Sequence, residues 1–317
     1  MNKKQFKISV IMVTYNRIKY LKRALESILC QSFSNFELIL VNNGSTDGTY
    51  NLCEEYVKKD SRIKFINIKE NYGASRGRNT AINLASAEYI TIVDDDDYCE
   101  KGMLEYLLNL ADVYNADISM CGSYNDFGNR LEPYFIFDDL LVMNKVKGLD
   151  ELLKRNKYNV APPTKLFRKS LFEGLRFPEG VLVDDIHVIY KVFANANTLV
   201  AKGTPLYYFT KHKNNMTHFI QSKEFTPKLL NEYLFMYKER TKYLSQKVPE
   251  IAARAKYSEW SYMISMCNKI KKYETVGCEE FYNYMIKELK KDYDKILKSS
   301  FITKNEVNEL KIFCEKN

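Results

Sequence analysis

Apolar and polar positions change period along this chain, and the changes mark its elements. Residues 6–13, Phe-Lys-Ile-Ser-Val-Ile-Met-Val, form a short apolar run that predicts a buried strand. Thr14-Tyr15-Asn16-Arg17 follows as a polar turn. Residues 18–31 then adopt a helical period carried by Ile18, Leu21, Leu25, Ile28 and Leu29. Further strands are predicted at 36–41, 63–68, 88–93 and 117–123, with helices at about 47–59, 74–86 and 101–114. Strand and helix alternate, which predicts an α/β, Rossmann-like and mostly parallel sheet flanked by helices.

The alternation fades after residue 124. Residues 125–163 read as an irregular excursion with one short helix near 148–155, ended by Pro162-Pro163. Lys165-Leu166-Phe167-Arg168 predicts a short strand, 184–194 a helix, and 198–202 and 205–210 two strands. From about 221 the pattern is helical, with breaks near Pro227, Pro249 and Gly277. The expected division is an α/β domain over 1–220 and a C-terminal helical appendage over 221–317.

Composition narrows the class. With 45% hydrophobic and 28% charged residues over 317 positions, the chain has material for a sizeable core. No stretch reaches the roughly 20 apolar residues that span a bilayer. The basic start leads into a short strand rather than a signal peptide, so a cytoplasmic location is expected. Cys30, Cys53, Cys99, Cys121, Cys267, Cys278 and Cys314 form no CxxC pair or zinc spacing, which predicts free thiols. The net charge is +8, and residues 221–317 hold 19 Lys/Arg against 14 Asp/Glu. Those charges are interspersed, which does not suggest nucleic acid. They suit weak contact with the inner face of a membrane, a partner or a second copy.

The polar clusters carry the chemistry. Thr14–Arg17, Asn42–Asp47, Asn71–Gly73 and Asp94–Asp97 each end a predicted strand, where ligands bind in such sheets. The run Asp94-Asp95-Asp96-Asp97 reads either as a solvated acidic loop or as oxygen ligands for Mg²⁺ or Mn²⁺. In an extended segment Asp94 and Asp96 would point one way, Asp95 and Asp97 the other. Asn43 offers a donor and an acceptor to a base edge, or belongs to a turn. Arg76 and Arg78 read as phosphate ligands or as exposed helix residues. Asp184-Asp185 reads as a helix cap or as a source of a general base. Of the histidines, His187 reads as packed and His212 as better placed for a metal or phosphate; His218 completes the set. No Gly-x-Gly-x-x-Gly or GxxxxGK[ST] motif is present.

Taken in order, these segments resemble the inverting, nucleotide-sugar-dependent glycosyltransferases of family 2, of the bacterial surface-polysaccharide type, with the GT-A fold. The resemblance lies in Ser9–Arg17, in Ser27-Ile28-Leu29-Cys30-Gln31-Ser32-Phe33, in Leu40–Gly48 and in Asn71-Tyr72-Gly73 with Ala74, Arg78 and Asn79. It continues through Tyr89–Asp97, Lys165–Arg168 and Val183-Asp184-Asp185. It implies transfer of one sugar, from a UDP-linked hexose or N-acetylhexosamine, to a saccharide hydroxyl with inversion, in surface glycan synthesis. The saccharide acceptor is expected to be lipid-linked.

The resemblance places Thr14, Tyr15, Asn16, Asn43, Arg78, Asp94 and Asp95 at the nucleotide-sugar. It makes Asp96 and His212 ligands of Mn²⁺ or Mg²⁺, and Asp185 the catalytic base. Lys165 and Asp184 fall on the acceptor side. The family's usual Asp stands here as Asn43, which loses a charge-assisted bond to the base. The Gln-x-x-Arg-Trp of processive members is absent; the single Trp is Trp260. Two other readings compete: a noncatalytic sugar-nucleotide-binding scaffold, and a sugar nucleotidyltransferase. The latter needs a Gly-rich basic loop after the first strand, which Thr14–Tyr20 does not supply.

Overall fold

The computed structural model describes residues 6–213, 215 and 226–314. The chain divides into two compact units, Met1–Lys211 and His212–Asn317. The expected boundary at 220/221 and His218 lie outside the described residues.

The first unit is built on strands β1 (Ile8–Thr14), β2 (Phe36–Asn43), β3 (Ile63–Ile68) and β4 (Tyr89–Ile92), all parallel, in the order β3-β2-β1-β4. Helices α1 (Ile18–Leu29), α2 (Thr49–Lys59) and α3 (Ala74–Leu84) connect them. β2 is buried along its whole length. Strands covered on both faces need apolar residues at consecutive positions, which is why they read as continuous runs. Val10, Met12, Leu38 and Leu40 pack with Leu21, Leu25 and Ile28 of α1 and with Leu104 and Leu107 of α4 (Met103–Val113). On the other face α3 approaches β1 closely: a Cβ on Gly77 would stand 2.5 Å from Cγ1 of Val13.

The remainder of the sheet differs from the simple alternation. β6 (Ile118–Asp126) runs longer than the expected 117–123. The stretch expected to be irregular holds β7 (Leu131–Tyr134), β8 (Leu141–Asn144) and α5 (Lys145–Lys154). α5 starts earlier than expected because the Asn144 side chain caps it at the Lys147 N–H. β9 (Lys165–Arg168) inserts antiparallel between β4 and β6. After α6 (Asp185–Asn195), the two strands expected at 198–202 and 205–210 are one, β10 (Thr198–Thr210), parallel to β6. The two-residue β5 (Tyr98–Cys99) pairs with β10 at the sheet edge.

β10 looks like two strands in sequence because Pro205 interrupts the pattern. Its register against β6 slips between Ala201 and Pro205 and again between Pro205 and Tyr207, as expected where a residue has no N–H to donate. The slip brings backbones together: a Cβ on Gly122 would meet the Gly203 carbonyl oxygen at 2.3 Å and that of Phe135 at 2.8 Å.

The second unit is helical: α7 (Pro227–Lys247), α8 (Ala252–Tyr273), α9 (Glu279–Lys291), α10 (Tyr293–Leu297) and α11 (Lys304–Cys314). The Thr226 side chain caps α7 at the Leu229 N–H, with Pro227 in the first turn. Pro249 opens a single 3₁₀ turn, and Gly277, at φ +78, lies between α8 and α9. Leu230, Leu244, Ile264, Cys267, Met285, Leu289, Ile296 and Leu310 are fully buried. Among the described residues, no helix is long and apolar enough to cross a membrane.

The Gly122 contact yields a test of the β10 register. Gly122→Ala is expected to lose about 2–3 kcal/mol of stability by overpacking against backbone that cannot rotate away. Urea unfolding measures it; an unchanged midpoint would contradict the close approach.

Candidate active site

The C-terminal ends of β1 and β2 are laced together. Asn16 sits at φ +52, a left-handed conformation that asparagine tolerates better than most residues. Its N–H donates to Ser45 Oγ at 3.0 Å, and its Oδ1 accepts from the Thr46 N–H at 2.8 Å. The Arg17 N–H donates to Thr49 Oγ1 at 3.1 Å and the Ile18 N–H to Asp47 Oδ2 at 3.2 Å. Asn16 therefore shapes the rim. Tyr15 is 40% exposed.

Asn43 is buried and ties down the next loop. Its Nδ2 donates to Asn71 Oδ1 at 2.9 Å and to the Gly73 carbonyl at 3.0 Å. Its Oδ1 accepts from the Tyr72 N–H at 3.4 Å. An amide oxygen has two lone pairs, so one remains for an N–H donor.

The acidic run is neither extended nor a solvated loop. Asp95 and Asp96 lie in a turn, with the Asp97 N–H donating to the Asp94 carbonyl at 3.3 Å. The alternating arrangement expected of an extended segment therefore does not form. Asp95, Asp96 and Asp97 are buried. Asp97 is a structural anchor: its Oδ2 accepts from the Tyr207 hydroxyl at 2.9 Å and its Oδ1 from the Thr210 N–H at 2.8 Å. The same hydroxyl accepts from the Asp94 N–H at 3.2 Å. Asp95 Oδ2 accepts from the Tyr15 N–H at 3.3 Å, linking the acidic turn to β1's loop. Arg17 Nε stands 3.7 Å from both Asp95 Oδ1 and Asp96 Oδ2.

Burial and mutual repulsion raise these acids. Asp97 is pushed well above the usual carboxylate range by burial and then by Asp96 and Asp94. Burial, followed by Asp96, pushes Asp95 up to about 7. Burial raises Asp94 against the pull of Arg78. Such under-compensated negative charge and an all-oxygen donor set fit a hard divalent cation. Among the described residues no three His, Cys, Asp or Glu side chains converge into a metal cage. Mg²⁺ needs no such cage: one or two carboxylates plus substrate phosphates and water suffice. His212 lies in the second unit. Its N–H donates to Asn215 Oδ1 at 2.6 Å, and its Nε2 is 3.2 Å from Asn215 Nδ2.

The late acidic pair divides its work. Asp184, just before α6, is bound by α3: Arg78 Nη1 donates to Oδ1, and Ser75 Oγ donates to Oδ2 at 3.0 Å. Arg78 Nη2 also reaches Asp94 Oδ1 at 3.3 Å. Asp185, the first residue of α6, has its Oδ1 buried with no hydrogen-bond partner. Burial, with Asp184 beside it, pushes its carboxyl up to about 7.

Lys165 is only 1% exposed. Its Nζ donates to the Ala161 carbonyl at 2.7 Å and lies 3.3 Å from the Pro163 carbonyl. Burial lowers it to about 7, against the pull of Cys121 and Asp185. Neither Asp184 nor Lys165 presents a free polar group outward. The sequence reading missed Ser75 and Tyr207. Ser75 carried no motif signal, and Tyr207 read as one aromatic among several in a strand.

Tyr207→Phe tests the Asp97 anchor. Removing one hydroxyl strands the Asp97 carboxylate and the Asp94 N–H, at an expected cost of about 1–3 kcal/mol. Thermal unfolding reads the loss; an unshifted transition would show that the bridge carries no weight.

The model of "Glycosyl transferase family 2" matches residues 9–176. The chain is 34% identical over 221 residues to glycosyltransferase GlyA of Streptococcus pneumoniae serotype 4, covering 67% of this chain and 31% of GlyA. It therefore corresponds to about a third of that relative. It is 30% identical over 217 residues to glycosyltransferase GlyG of the same organism, covering 66% of this chain and 72% of GlyG. The crystal structure of S. aureus TarS 1-349 in complex with UDP-GlcNAc superposes with a TM-score of 0.73 at 22% identity, covering 90% of this chain and 81% of that one. This likeness bears on the fold alone, and it agrees with the GT-A arrangement of a sheet flanked by helices. The family match spans more than half the chain and runs through β1, the acidic turn and β9, so this chain belongs to glycosyl transferase family 2.

Proposed function

We propose that this chain transfers a single sugar from a nucleotide-diphosphate sugar to a saccharide hydroxyl, with inversion. The observation that carries the reading is Asp185: a buried carboxylate oxygen without a hydrogen-bond partner, in a group that titrates near neutrality. Such a group is suited to accept a proton. The acceptor oxygen attacks the anomeric carbon from the face opposite the diphosphate. Its proton passes to Asp185, the bond from carbon to the diphosphate oxygen breaks, and an α-linked donor gives a β-glycoside.

The donor is proposed to be a UDP-sugar, a hexose or N-acetylhexosamine. UDP-GlcNAc in the TarS crystal structure supports this, as does the remaining lone pair of Asn43, which suits a pyrimidine N–H. The half-exposed Tyr15 ring packs beside the base, and Thr14, Asp94 and Asp95 line the nucleotide side. Asp96 would hold Mg²⁺ or Mn²⁺, whose chemistry when bound is to neutralise the departing diphosphate. The acceptor is proposed to be a saccharide of a surface glycan. The helical region 221–317 is proposed as the contact region at the inner face of the membrane or with a second copy. Its net positive charge and the exposed Phe235 and Val276 support that role.

The transfer rate is expected to rise with pH through about 7 and level off above it. Burial favours the neutral acid, and only the carboxylate accepts a proton. Asp185→Asn should cost about 10²–10⁴-fold in rate. A flat profile between pH 5.5 and 8.5 (roughly the span over which such a base titrates), or full activity in the variant, would remove Asp185 as base. A donor screen measuring nucleotide release from UDP-, GDP- and dTDP-sugars with Mn²⁺ tests the reaction class. UDP-sugars should react, and Asp96→Ala should lose that activity at saturating metal. No release from any donor would refute the enzyme reading.

A further inference from the structure

We propose that Ser75, Arg78 and Asn79 of α3 form a seat that positions Asp185 from behind, and that Arg78 is a positioning residue of the base rather than a nucleotide ligand. The inference rests on the assignment of Asp185 as base.

Asp185 is delivered by an irregular segment: residues 175–184 contain no helix or strand. Such a segment must be fixed by side chains if it is to hold a reacting group in place. Asn79 fixes its beginning. Its Nδ2 donates to the Phe177 carbonyl at 2.8 Å, and its Oδ1 accepts from the Phe177 N–H at 2.9 Å. Both backbone groups of Phe177 are thus satisfied by one amide. Arg78 and Ser75 fix the end, each taking one oxygen of Asp184. The Arg78 guanidinium also lies 5.6 Å from the centre of the Phe177 ring.

These side chains share one face of α3, at spacings of three and four residues. The helix in turn is seated on β1 through Gly77, where no side chain intervenes. Placement therefore runs from β1 to α3, from α3 to Asp184, and from Asp184 to its neighbour Asp185. Asp185 cannot be oriented through Oδ1, because that oxygen has no partner. Its position comes from its place at the start of α6, from the Ile186 N–H and from the fixed Asp184 beside it.

Arg78 is poorly suited to meet a nucleotide. It is partly buried, with its side chain 13% exposed, and its two terminal nitrogens are already engaged by Asp184 and Asp94. The charged groups facing Asp185 are Asp184 beside it, Arg78 from α3, Asp94 beyond β4 and Lys165 from β9. Arg78 offsets Asp184 and Asp94. Without it, both would oppose ionisation of Asp185.

The test is steady-state transfer from UDP-GlcNAc between pH 5.5 and 9 (a span that brackets the titration of a base near neutrality by about two units), with UDP binding measured by calorimetry. Arg78→Gln is expected to lower kcat about 100-fold and move the acid limb up by about one pH unit, leaving UDP affinity and the donor KM within about twofold. Arg78→Lys keeps the charge but loses the planar fork, so the limb should return while kcat recovers in part. Ser75→Ala, which removes one of the two anchors, should show a smaller fall in kcat at unchanged UDP affinity. It carries the test should Arg78→Gln fail to fold. Weaker UDP binding or a raised donor KM, with kcat and pH limb unchanged, would overturn the proposal and make Arg78 a nucleotide ligand. Full transfer by Asp185→Asn would instead remove the base itself, a separate outcome read in a different variant.

Discussion

Asp94, Asp95, Asp96 and Asp97, with Asp184 and Asp185, crowd the rim beyond the parallel strands. In that partly dry setting like charges repel far more than in water. Much of the surrounding structure responds to this repulsion. Tyr207 and the Thr210 N–H hold Asp97, Arg17 stands between Asp95 and Asp96, and Arg78 spans Asp94 and Asp184. The compensation is incomplete, since Asp94, Asp95, Asp97 and Asp185 all stay raised. A site left short of positive charge is one in which a cation is favoured, and in which one carboxylate can exchange a proton near neutral pH.

The loops that carry these groups are bound to one another. Asn16, Ser45, Asp47 and Thr49 join the ends of β1 and β2, and Asn43 fixes the loop before α3. β10 contributes from the far side of the sheet. Its slipped register against β6 carries Tyr207 and Thr210 to the acidic turn. Rigid loops matter for group transfer because misplacing a reacting atom by about 1 Å costs much of the rate. The side chains that face inward from these loops therefore spend most of their hydrogen bonds on one another. Asp185 keeps a buried oxygen left over.

Much of the fold was legible. The apolar runs of β1, β2 and β4 announce strands buried on both faces, and the polar residues that end them mark the ligand rim. The C-terminal helices were equally plain, down to the breaks at Pro249 and Gly277, and Pro227 opens the first of them. Other features were not. β7 and β8 are short edge strands with mixed exposure, so no period marks them. β9 is a clear strand in sequence, but its antiparallel direction depends on which neighbours it finds. Pro205 imitated a strand boundary because it breaks a ladder without ending the strand.

The sequence by itself determined where strands and helices lie in the parallel half of the sheet, which polar clusters share the rim, and which family the motifs belong to. These follow from burial patterns and short spacings, which are local. Only the tertiary structure decided which carboxylate is anchored at both oxygens and which keeps one oxygen without a partner. It also decided that Asn43 binds a loop and that Arg78 faces Asp184. Those outcomes depend on partners far apart in the chain, such as the 106 positions between Arg78 and Asp184. No local pattern encodes a hydrogen bond across that separation; only the packing of α3 against the loop before α6 does.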